Sequence, residues 1–137
     1  SRRGLLRILN DLGYEVGSGI MVGLPGQSYN ALVNDIFLFQ EMNLDMIGVG
    51  PFLPHPQTPL GQDTTYARLP ADEQVPNTEE MTYKVVALTR LLCPNANIPS
   101  TTSLASINRE QGRKLALQRG ANVVMPNLTP ATYRLCY

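Results

Sequence analysis

Helix-period and strand-period segments alternate along this chain, and each strand-like run is short and continuously apolar. Leu5, Ile8, Leu9 and Leu12 share one helical face, and Gly13 stands where a left-handed C-terminal residue belongs. Residues Val16 to Gly23 read as a strand, which Pro25-Gly26 breaks. Ser28 can cap a second helix with the apolar stripe Tyr29, Leu32, Val33, Ile36 and Phe37. Asp45 to Val49 is a second strand, followed by a Pro-rich connection from Gly50 to Pro76. Asn77 or Thr78 can cap a third helix, with Met81, Val85, Leu88 and Leu92 inward and Pro94 as its stop. Ile98 to Thr102 is a third strand. Arg109 to Arg119 is a fourth helix ended by Gly120, and Ala121 to Met125 is a fourth strand ended by Pro126.

The pattern αβαβαβαβ places the chain in the α/β class. Strands without polar alternation are expected to be buried on both faces, in a parallel sheet joined by right-handed crossovers. Two architectures fit: a doubly wound sheet, or part of a (β/α)8 barrel. A complete barrel needs about 250 residues. This chain has 137 residues and four β units, enough for half of one.

Composition excludes several functions. The chain is 43% hydrophobic and 16% charged, too apolar for a disordered segment. Lys+Arg and Asp+Glu both number 11, with no basic cluster, so nucleic acid and membrane surfaces are not expected partners. No apolar run reaches the roughly 18 residues of a membrane span. Cys93 and Cys136 are too few for a disulfide framework, so a reducing cytoplasm is the default location. With a single histidine, they offer no zinc site. The Ser1 start and abrupt Leu135-Cys136-Tyr137 end suggest a piece of something larger.

The distinctive residues cluster after strand C-termini: Leu24 to Gln27, Pro51 to Pro59, Thr101 to Ser103, and Met125 to Asn127. In parallel α/β folds that end carries the ligand site. The glycines from Gly17 to Gly26 do not make a dinucleotide fingerprint: the third comes one residue late, and the first two precede the turn. They suit either close approach of a ligand to the strand or relief of crowding inside a barrel. His55 lies in a Pro-rich loop with no visible orienting partner, which favours a structural or solvated histidine over a general base. Thr101 and Thr102 are ordinary β-formers whose hydroxyls also suit a polar ligand. Met21, Met46 and Met125 are explained most simply as core filling.

Five runs together carry a more specific signal. They are Met21 to Gln27 (MVGLPGQ), Gly48 to Pro56 (GVGPFLPHP), Val86 to Arg90 (VALTR), Asn97 to Thr102 (NIPSTT) and Gly120 to Asn127 (GANVVMPN). In this order they resemble the HydE family of radical S-adenosylmethionine (SAM) maturases, over the chain's whole length. The resemblance implies the second half of a (β/α)8 barrel, residues 1–137 running from the helix before the fifth strand to just past the eighth. It implies an enzyme that uses SAM and a 4Fe-4S cluster. A 5′-deoxyadenosyl radical then acts on an organometallic or other small substrate during assembly of the iron-only hydrogenase cluster. Other hydrogenase maturases are the implied partners. The family's C-x3-C-x2-C motif is absent here, so no cluster ligand carries over and the chain alone is expected to be inactive.

By motif, Arg2 matches an arginine near the SAM carboxylate, Met21 a SAM-contacting methionine, and Tyr137 a tyrosine near SAM. Met46 and Pro51 match interior wall near SAM and substrate. Thr101 and Thr102 match a threonine pair facing the substrate, and Met125 another cavity-wall residue. Two departures stand out: a long polar connection from Gly61 to Pro76, and Leu128 where the family carries a tryptophan. Two alternatives remain: another biotin-synthase-like or methylornithine-synthase-like radical SAM enzyme, and a non-catalytic half-barrel that binds a small molecule or pairs with another half.

Overall fold

The computed structural model describes residues 1–62, 69–126, 128–130 and 132. Its elements are α1 (Arg2–Asp11), β1 (Gly17–Val22), α2 (Tyr29–Glu41), β2 (Met46–Pro51), α3 (Pro59–Gln62), α4 (Glu79–Leu92), β3 (Pro99–Ser100), α5 (Thr102–Ile107), α6 (Gly112–Leu117) and β4 (Val123–Val124). The helix starts follow capping chemistry: Ser28 Oγ accepts from the Ala31 amide and Thr78 Oγ1 from the Met81 amide. Gly13 adopts φ +82° just past α1, the left-handed stop its position calls for.

All four strands are parallel and lie in the order β1-β2-β3-β4. A doubly wound sheet reverses its order at a switch point, and this one never does. Right-handed crossovers between neighbouring strands put their connecting helices on one side, as in a barrel wall. That decides between the two architectures the sequence allows.

The helix side is a dense core. Val22, Ile47, Val49 and Ile98 are fully buried among Leu32, Ile36 and Phe39 of α2 and Val85 and Val86 of α4. Each such side chain contributes roughly 1.5–3 kcal/mol of burial. Among the described residues no helix covers the other side of the sheet, which corrects the expectation of burial on both faces. Met21 is 52% exposed, Met46 45% and Met125 44%. The cause is topological, because consecutive crossovers leave one face without helices.

Other expectations shift locally. On α4 the buried residues are Thr82, Tyr83, Val85, Val86 and Thr89, with Met81 and Leu92 packed against the core as expected, while Leu88 is about half exposed. The Thr82 hydroxyl donates to the Thr78 carbonyl, so it enters the core already satisfied. The region after β3 holds two short helices in place of one, with α6 beginning at Gly112. An ideal Cβ on Gly112 would collide with the Leu104 backbone, so the glycine lets α5 and α6 touch. A Cβ on Gly19 would likewise run into the Gly48 backbone, which favours crowding between strands as the reason for that glycine.

Candidate functional site

The strand register assembles a row of residues across the bare face. Met21 pairs with Gly50. Val49 pairs with Ser100 and Ser100 with Val124, so one residue further along lie Gly50, Thr101 and Met125. Paired residues in a parallel sheet point to the same face. Met21, Gly50, Thr101 and Met125 therefore form one line over roughly 14 Å, three strand spacings. The line sits at the C-terminal ends of the strands, where α/β proteins bind ligands.

Thr101 is extended (φ −72°, ψ 155°) and stands at the N-cap of α5, yet its side chain makes no cap bond. Its hydroxyl instead shares a hydrogen bond of 2.9 Å with the Ser103 hydroxyl. An ideal Cβ on Gly50 would lie 2.5 Å from Ser103 Oγ and 3.1 Å from Thr101 Oγ1, so the missing side chain is what admits the hydroxyl pair. The row thus presents two soft thioethers flanking two hydroxyls. Such a surface accepts an apolar ring at its edges and hydrogen-bonds a polar group at its centre.

The structure separates the remaining sequence-derived residues. Thr102 is exposed in the first turn of α5, and Ser103 partners Thr101 in its stead. Pro51 is buried on the helix side of β2 with Ile47 and Val49, because it lies an odd number of residues from Gly50. Met46 faces the bare side but opens β2, four residues or about 13 Å below Gly50. Arg2 is exposed in the first turn of α1. Tyr137 and Asn127 lie outside the described residues, as does the centre of the long connection, residues 63–68.

Two glutamines shape the turn above Met21: Gln27, which closes the MVGLPGQ run, and Gln74, which no sequence motif marks. The Gly23 amide donates to Gln27 Oε1 at 2.6 Å, and Gln27 Nε2 donates to the Met21 carbonyl at 3.1 Å. Gln74 Oε1 accepts from the Gly26 amide at 2.9 Å, and Gln74 Nε2 donates to the Leu24 carbonyl at 3.0 Å. Gly23 has φ +84°, and the Asn77 backbone occupies the place a Cβ would take. The signal available in the sequence was the Gly-Gln turn; its partner 48 to 50 residues away was not visible.

Among the described residues, no three His, Cys, Asp or Glu side chains converge to hold a metal. Cys93 is buried at the end of α4, and burial pushes its thiol up, only partly offset by Arg90. A protonated thiol is a poor ligand. The chain contains two cysteines in all, fewer than the three thiolates a C-x3-C-x2-C cluster site supplies. A groove of about 340 Å³ lies elsewhere, between Leu6, Asp11 and Met42, near the starts of the strands and away from the row. No described helix is long and apolar enough to cross a membrane.

No protein-family model matches the chain. It is 31% identical over 97 residues, 70% of its length and 23% of the relative's, to an uncharacterized protein of Methanocaldococcus jannaschii. It is 45% identical over all 137 residues to the [FeFe] hydrogenase maturase subunit HydE of Thermotoga maritima, and spans 36% of that protein's length. The bare-faced wall of four consecutive parallel strands therefore comes from a chain related, from Ser1 to Tyr137, to the HydE [FeFe] hydrogenase maturases.

Proposed function

We propose that this chain is the SAM- and substrate-facing part of a HydE-type radical SAM barrel. It corresponds to residues 1–137 from the helix before the fifth barrel strand to just past the eighth. The observation that carries this reading is the row Met21, Gly50, Thr101 and Met125 on the bare face, at the end of the strands where a barrel binds its ligands. The 45% identity to a HydE supports it.

In this reading Met21 lays its thioether against the adenosine of SAM, with Arg2, Met46 and Tyr137 as further cofactor contacts. Thr101 and Met125 belong to the substrate wall, with Thr102 beside them at the start of α5. The Thr101 and Ser103 hydroxyls orient a polar group of an organometallic or other small substrate. Bound SAM supplies radical chemistry through its 5′-deoxyadenosyl group. The residues present do not fit a 4Fe-4S cluster, since two cysteines cannot provide the three thiolates, so cluster ligation lies outside this chain. The chain's own contribution is to bind, orient and keep water from the reacting centre. Cytoplasmic location and cooperation with other hydrogenase maturases follow from the same reading.

A chimera tests it. This chain replaces its aligned segment in the Thermotoga maritima HydE, and maturation of a co-produced [FeFe] hydrogenase is measured. Hydrogen evolution above the HydE-free background supports the proposal. A chimera that folds, carries its cluster and binds SAM, yet matures no hydrogenase, sinks the HydE assignment in favour of another radical SAM chemistry.

A further inference from the structure

We infer that Gln27 is a positioning residue for Met21: its carboxamide replaces a neighbouring strand at the top of the β1 edge and ends sheet pairing there. The inference rests on the proposed role of Met21 as cofactor wall.

The Val22 carbonyl accepts from the Phe52 amide, so Val22 faces β2. Successive residues of a strand point their N–H and C=O groups to opposite sides. Met21 and Gly23 therefore face away from β2, toward the outer edge of β1, the first strand in the sheet. In a parallel ladder, a neighbouring residue gives its N–H to the carbonyl before the paired residue. It takes the N–H of the residue after with its own C=O. Gln27 makes this same pair of bonds around Val22. Nε2 donates to the Met21 carbonyl at 3.1 Å, and Oε1 accepts from the Gly23 amide at 2.6 Å. The partners also fix the orientation of the amide, since a carbonyl needs the NH2 group and an N–H needs the oxygen.

Gln27 is held for this task. It is 9% exposed. Its own amide closes the turn onto the Leu24 carbonyl at 2.9 Å, and its carbonyl accepts from the Val75 amide at 2.9 Å. The Gln74 side chain pins both Leu24 and Gly26 within the same turn. A strand added to the β1 edge can pair with Gly17 and Gly19, but at Met21 the carbonyl is already taken. The wall must open at that level, beside the exposed Met21 side chain. A gap in the ladder at the C-terminal rim makes room for a ligand.

The test is methyl NMR of the chain labelled at its five methionines, with amide exchange at Gly23 and no ligand present. Gln27→Met keeps the side-chain length and removes both bonds. It is expected to move the Met21 methyl resonance and speed Gly23 exchange about tenfold, the scale of one lost buried hydrogen bond. Gln27→Glu keeps the acceptor and loses the donor. It is expected to move the Met21 methyl while leaving Gly23 protected, and it carries the test if Gln27→Met does not fold. Met42 and Met81, packed against the core, serve as internal controls. An unmoved Met21, or all methyls moving together, overturns the positioning role. Titration with SAM is read separately. No shift at Met21 in the unmodified chain would sink the cofactor-wall reading, while the inference about Gln27 stands or falls on the ligand-free spectra.

Discussion

Thr101 and Ser103 face each other across 2.9 Å, hydroxyl to hydroxyl, in the space that Gly50 leaves empty. A methyl group at position 50 would enter that space. Gly50→Ala is therefore expected to destabilise the fold by about 1–3 kcal/mol, the usual cost of overpacking. Ser103→Ala removes the nearest obstructing atom. In urea unfolding, the double variant should lose clearly less than the sum of the two singles. Strict additivity would mean that the glycine is there for another reason.

Arg90 ties the end of α4 to the loops beneath the sheet. Its guanidinium donates to the carbonyls of Gly120 at 2.8 Å, Pro94 at 2.7 Å, Ala96 at 2.8 Å and Cys93 at 3.3 Å. Arg90→Ala leaves these carbonyls without their donor and is expected to cost about 2–4 kcal/mol. Arg90→Lys should recover only a minor part, because one ammonium cannot span the fork. Full recovery by lysine in a chemical denaturation series would contradict the multidentate role.

Asp35 sits in α2, where burial raises its carboxyl above the ordinary value of 3.8 and Arg3 offsets only part of the effect. A raised carboxyl holds its proton more tightly folded than unfolded. Stability therefore falls as pH climbs from the ordinary value through the folded one, and stays lower above it. Asp35→Asn is expected to raise the thermal midpoint slightly at about pH 7 and to leave it unchanged at about pH 3, below both values. A gain of the same size at both pH values would mean that charge is not the cause.

The β1 edge and the bare face both invite contact. In addition, α1 buries no residue, and Leu5, Ile8 and Leu12 are each more than half exposed. Unpaired strand edges and contiguous apolar surface favour association. Sedimentation velocity is expected to show species heavier than 15.1 kDa that grow with concentration. A single monomeric boundary at every concentration would count against that.

The sequence revealed elements better than faces. Ser28, Thr78 and Gly13 mark helix ends in the sequence because capping is local chemistry, and the structure uses all three. Strand order was out of reach, because the same αβ alternation serves a reversing sheet and a barrel wall alike. Met46 and Pro51 show a subtler limit. Both were assigned to one interior wall, but an odd separation within a single strand sends them to opposite faces. On α4, Met81, Val85 and Leu92 pack against the core as their spacing suggests and Leu88 is half exposed, while Thr82 joins the core because its hydroxyl bonds to its own helix. Of the row, Met21, Thr101 and Met125 stand in the motif runs of the sequence. Gly50 and Ser103 emerged only once the register brought β2 beside β3. Tyr137 lies outside the described residues.

The bond from Gln74 to Leu24 joins positions 50 residues apart in the chain. Closing a loop of that size is entropically costly before any contact compensates, and non-local closure slows folding. The first strand can pair with the second early, but the turn above Met21 has to wait for the later segment to return. A nascent chain released before residue 74 would carry the first strand without the finished turn at its C-terminal end.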